Sequence, residues 1–99
     1  MFSLRKPTRY GQDVFLSGNI SQLGSWDVNK ALALSAGKYT EKQPLWYTFE
    51  RLPAGTMFEY KYVLKGTEDK KSVWETGRNR EFLVPATCEV SVAIHDDWR

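Results

Sequence analysis

The amino-acid sequence predicts an all-β fold, an antiparallel sandwich of about seven to eight short strands. Three observations lead there. The chain is divided into short stretches of alternating apolar and polar residues, each closed by a turn signal. No segment sustains the 3.6-residue period over the ten or more residues that a helix requires. The length of 99 residues suits one core, two packed sheets thick, so residues 1–99 read as a single domain.

Each element follows from its own pattern. "MFSL" puts Phe2 and Leu4 on one face, and "QDVFLSG" is a β-branched and aromatic run that stops at Gly18. "KALALS" turns Leu32 and Leu34 inward. "LWYTFERL" ends at the turn "PAG", and "TMFEYKYVLK" is expected to follow as its antiparallel hairpin partner. In that long strand Phe58, Tyr60, Tyr62 and Leu64 share a face opposite Glu59, Lys61 and Lys65. "GTEDKK" reads as a solvated hairpin tip, and "SVWE" and "REFLV" flank the turn "TGRN". "CEVSVAIH" alternates Val90, Val92 and Ile94 before "DDWR" closes the chain.

Composition excludes several function classes. A net charge of +2, with basic and acidic residues interleaved, disfavours a nucleic-acid partner. No stretch approaches the roughly 20 apolar residues of a membrane span, and "MFSLRKPTRY" lacks the apolar run of a signal peptide. Cys88 is the single cysteine, so an intrachain disulfide is impossible; its strand context reads as a small buried hydrophobe. One cysteine fits a reducing compartment and equally a domain from a longer secreted protein.

Catalytic chemistry finds no constellation. The single histidine, His95, has no second histidine and no adjacent cysteine to complete a ligand set, so no metal site is expected. Glu59, Glu75, Asp27, Asp96 and Asp97 are carboxylates, but loops this short build no deep cleft for an acid and base pair. Neither a nucleophile elbow nor a phosphate-cradling glycine loop is present. No catalytic residue and no cofactor is assigned.

The aromatic residues raise the functional question. In "PLWYTFERL", Leu45, Tyr47 and Phe49 form the face that a core wants, which leaves Trp46 outward among Thr48 and Glu50. Either a loop folds over that indole or it serves a ligand. Trp26 sits in the polar, glycine-containing loop "QLGSWDVNK". Trp74 is adjacent to Val73, and only one of two strand neighbours can face the core. Tyr10 and Tyr39 lie in the turn-like "TRYGQ" and "AGKYTEK". Flat rings on rigid elements suit a pyranose, whose C–H face stacks while its hydroxyls take hydrogen bonds. Burying on the order of 100 Å² at about 25 cal/mol per Å² gives roughly 2.5 kcal/mol gross per platform, so paired platforms are expected.

The motifs "ISQLGSW", "PLWY", "FEYKY" and "WE…NRE", with the final "DDWR", resemble a starch-binding domain of carbohydrate-binding module family 20. The likeness runs from about Phe2 to Arg99 and is greatest to the C-terminal modules of fungal glucoamylases. It implies an Ig-like sandwich with two sites for α-1,4-glucan. The first would hold sugar between Trp26 and Trp74, with Lys61, Glu75 and Asn79 bonding hydroxyls; the second would use Tyr10, Tyr39 and Trp46. It further implies starch and related α-glucans as ligands, a covalently attached amylolytic domain, an extracellular parent protein and a monomeric module. Gly37 stands where the family often has an acidic residue, so a second-site hydrogen bond is not carried over. Cys88 matches a cysteine that in the family pairs toward the module's N-terminus, before the first residue here. The rival readings are a protein-interaction domain on the same sandwich, which needs one contiguous aromatic patch, and a small glycan-active enzyme, which needs a cleft carboxylate pair.

Overall fold

The computed structural model describes the chain apart from residues 9, 10, 38, 51, 53, 67–71 and 86–92. Among the described residues there are eight strands: β1 (Phe2–Arg5), β2 (Gln12–Gly18), β3 (Leu32–Ala33), β4 (Leu45–Thr48), β5 (Met57–Gly66), β6 (Ser72–Trp74), β7 (Arg80–Leu83) and β8 (Ile94–Asp97). Two short 3₁₀ turns, Ser21–Leu23 and Val28–Lys30, interrupt the loop between β2 and β3. The β-sandwich expectation holds.

One sheet has the order β4-β1-β8, and the other runs β3-β2-β5-β6 with β7 also on β5. Their inner faces meet in a core of Phe2 and Leu4 from β1, Val14 and Leu16 from β2, and Phe58, Tyr60 and Tyr62 from β5. Phe2 packs edge-on to Tyr60 with ring centres 5.5 Å apart, which joins the two layers. Leu23 and Leu34, from the connecting segments, close the ends.

Three expectations need correction. β4 and β5 are not a hairpin pair: β4 pairs with β1 and β5 with β2, in different sheets. The turn after β4 therefore carries the chain across the sandwich instead of back along one sheet. The β1–β8 pair is parallel, not antiparallel. These strands come from opposite ends of the described chain, so no tight turn forces them antiparallel. Finally, the closing strand is Ile94–Asp97 and includes both aspartates of "DDWR"; Cys88, Val90 and Val92 lie outside the described residues.

β6 and β7 share one side of β5. β6 pairs with residues Val63 to Lys65 and β7 with Met57 to Tyr60, leaving Lys61 and Tyr62 between them. The loop 75–79 leaves the sheet at this gap. Gly18 ends β2 under a tight crossing, because a Cβ there would stand 2.6 Å from both the Glu59 carbonyl and Leu23 Cδ1. That close approach seats the loop carrying Trp26.

Candidate functional site

Along β5, Lys61 and Val63 point away from the core, yet Val63 is fully buried. Its cross-strand neighbours are Phe15 on β2 and Trp74 on β6. Trp74 remains 36% exposed. Trp26 comes to the same place from the β2–β3 loop, its backbone N–H donating to the Gly18 carbonyl at 2.8 Å. The two indoles lie 6.2 Å apart and tilted by 56°.

The loop that brings Trp26 there is held in costly backbone. Gly24, Ser25 and Trp26 have φ of 83°, 50° and 65°. The left-handed region is natural for the glycine and strained for a bulky residue, on the order of 1–3 kcal/mol. The loop is fixed on both sides: Gly24 N–H donates to Ser21 O, and the Asp27 carboxylate accepts from Asn29 N–H at 3.0 Å. The strain holds a half-exposed indole rigidly against another.

The spacing decides what the pair can do. A ring held between two aromatic faces needs a carbon contact of about 3.5–4 Å on each side, more in total than the 6.2 Å available. The indoles therefore offer one bent apolar surface on which a sugar lies, not a slot into which it slides. Beside it, Lys61 Nζ donates to the Glu75 carbonyl at 3.2 Å, which sets the ammonium at the edge of this surface. The Ser17 hydroxyl, opposite Lys61 in the β2–β5 register, is buried and has no hydrogen-bond partner among the described residues.

Glu75 departs from the sequence reading. Its side chain is fully enclosed, so the carboxylate does not reach a ligand. Oε1 accepts from the Tyr62 backbone N–H at 3.1 Å and from Arg80 Nε at 2.9 Å, while Oε2 takes Arg80 NH2 at 2.9 Å. The reason is the gap in the β5 ladder: between β6 and β7, on the side away from β2, the buried Tyr62 N–H needs another acceptor. Asn79 is exposed and lines a groove of about 410 Å³ with Tyr60, Arg78, Arg80, Glu81, Asp96 and Arg99.

Arg80 and Asp96 are structural members of the site that the sequence reading missed. Arg80 forms a second ion pair with Asp96 at 3.1 Å and lies 5.5 Å over the Tyr62 ring. Asp96 Oδ2 accepts from the hydroxyls of Tyr60 at 2.9 Å and Tyr62 at 2.8 Å. Burial opposes the Arg80 charge, but the hydrogen bond and charge of Glu75 outweigh it and raise its pKa. Burial first, and then the charge and hydrogen bond of Asp96, push both phenols well above their ordinary value of 10. A signal was present: Arg80 alternates in phase with Phe82, and Asp96 with Ile94, placing opposite charges on core-facing positions.

The second group assembles in part. Tyr39 and Trp46 have ring centres 6.1 Å apart at 65°. The Tyr39 hydroxyl accepts from Thr8 N–H at 3.1 Å. Tyr10 lies outside the described residues. The outward placement of Trp46 is wrong: it is 4% exposed and belongs to the core, opposite Leu4 in the β1–β4 register. Its indole N–H is buried without a partner among the described residues. Leu45, Tyr47 and Phe49 take the outer parity, and Phe49 is 67% exposed. Both faces of this strand carry aromatics, so hydrophobicity alone did not choose between them.

Residues 1–94 match the family model described as starch binding domain. The chain is 51% identical over 93 residues to an AA13 family lytic polysaccharide monooxygenase A of Aspergillus terreus, covering 93% of this chain and 23% of that protein. It is 46% identical over 99 residues to glucoamylase-1 of Arthroderma benhamiae, covering 99% of this chain and 16% of that one. Among solved structures, the glycoside hydrolase family 15 glucoamylase from Hypocrea jecorina superposes with a TM-score of 0.92 at 37% identity, over 99% of this chain and 16% of that one. The chain thus spans about a quarter or less of the length of these relatives.

Proposed function

The chain belongs to the starch binding domain family, and from that premise we propose that it holds α-1,4-glucan on two aromatic platforms and anchors an attached enzyme to its polymer. The observation that carries this is the Trp26–Trp74 pair, kept outside the core at 6.2 Å by a strained loop. Glucose units lie across the bent indole surface, while Lys61 and Asn79 donate to hydroxyls at its rim. Glu75 acts from beneath as a brace. At the second platform Tyr39, with Tyr10, meets the sugar, and Trp46 supports Tyr39 from below.

The chain itself carries no reaction in this reading. It is a single monomeric unit over residues 1–99, joined to a catalytic domain in a secreted protein. The names of the relatives include a glucoamylase, a lytic polysaccharide monooxygenase and a cyclomaltodextrin glucanotransferase, so the attached activity is one that acts on polysaccharide. The test is depletion of the chain by insoluble starch, with β-cyclodextrin as competitor. Retention that the soluble ring abolishes supports the proposal. A chain that stays in solution, or is retained regardless of competitor, overturns it.

A further inference from the structure

The register that turns Trp46 inward exposes an aromatic stripe elsewhere, and we infer that Tyr47 and Phe49 form a third glucan contact on the outer face of the β4-β1-β8 sheet. Phe49 is the most exposed large apolar side chain among the described residues, at 67%. Such exposure of an aromatic is a site signal only if the ring is held and has neighbours that suit a ligand. Both conditions are met. The Tyr47 ring braces Phe49 edge-to-face, with centres 5.9 Å apart at 79°. Across the sheet the register lines up Tyr47, Ser3 and His95. The Ser3 hydroxyl is 2.6 Å from His95 Nδ1, and His95 itself is exposed. Two strand spacings, about 10 Å, separate Tyr47 from His95. Ser3 is buried and its hydroxyl is engaged, so the polar border beside the aromatic pair is the exposed His95 imidazole, which suits an uncharged polyol with a flat C–H face.

The occupant is an α-glucan chain already seated at Tyr39, so this inference rests on the glucan-binding reading above. Continuity argues for it. Ser35 and Tyr47 exchange both backbone hydrogen bonds, at 2.7 and 3.0 Å, which ties the Tyr39 loop to β4. Gly37 lies between, and a Cβ there would stand 3.5 Å from the Tyr47 hydroxyl. A side chain there would rest against that hydroxyl, and the Tyr47 ring in turn contacts Phe49.

The test is an amide-resolved NMR titration of the 99-residue chain with maltoheptaose, on the parent, Phe49→Ala and Gly37→Ala. The amides of Ser3, Tyr47 and His95 should shift in the parent, and each variant should weaken that response about fivefold. Phe49→Ala should melt as the parent does, because the ring is mostly exposed. If the Trp74 amide shifts while Ser3, Tyr47 and His95 stay still, this inference falls and the glucan-binding reading stands. If no amide shifts, both fall. If Phe49→Ala changes only sedimentation, from dimer to monomer, the stripe is a self-association surface and the inference is overturned.

Discussion

The backbone N–H of Tyr62 donates to the carboxylate of Glu75 at 3.1 Å, in the gap that β6 and β7 leave on one side of β5. A side chain thus completes a sheet ladder, and the residue that does so directly follows Trp74. The platform and the core are joined there.

Glu75→Ala should cost about 3 kcal/mol or more, because it orphans a buried N–H and leaves Asp96 as the one remaining ion-pair partner of Arg80 among the described residues. Asn79→Ala should stay within about 0.5 kcal/mol of the parent, as an exposed loop residue, while weakening cyclodextrin binding. Urea unfolding and titration calorimetry on both variants separate the brace from the contact. Equal stability losses would mean that the Glu75 network carries little of the fold.

Trp26→Gly and Trp26→Ala should both lose most first-site binding. Glycine accepts the φ of 65° freely and alanine does not, so Trp26→Gly should be about 1 kcal/mol the more stable of the two. Thermal melts compare them directly. A less stable glycine variant would show that the left-handed backbone is not a source of strain.

Trp46→Ala should destabilise the sandwich by about 3–5 kcal/mol, since a core indole opposite Leu4 is removed. Any loss of first-site glucan binding should then follow the fraction unfolded. Trp46→Phe should keep most of the fold and remove the unpartnered indole N–H. A stable, well-packed Trp46→Ala that has lost binding would restore Trp46 as a direct contact.

Alkaline pH should weaken the fold. The Tyr60 and Tyr62 phenols ionise above 10 when folded and near 10 when unfolded, so the unfolded chain releases its protons first. Their contribution is fully present below pH 10 and is lost as pH rises through the folded values. Tyr62→Phe should be less stable at pH 7 by about 1 kcal/mol, through a lost hydrogen bond to Asp96, but its stability should fall less steeply above pH 10. Denaturant midpoints between pH 8 and 11 measure both slopes.

Local patterning was enough to specify the β-sandwich, the strands β2, β5, β6 and β7, and the loop or outward placement of Trp26 and Trp74. These rest on local alternation and turn chemistry, which a single segment contains. It did not determine which partner β4 would choose, and so it left Trp46 on the wrong face. A one-residue change of parity exchanges every side chain between core and water, and with aromatics on both sides of "LWYTF" only pairing with β1 decided the matter. Nor did sequence disclose that Glu75 faces inward. Its carboxylate is drawn there by an unpaired Tyr62 N–H and by Arg80, which also reaches Asp96 on the other sheet. That demand exists only once β6 and β7 have divided one side of β5 between them.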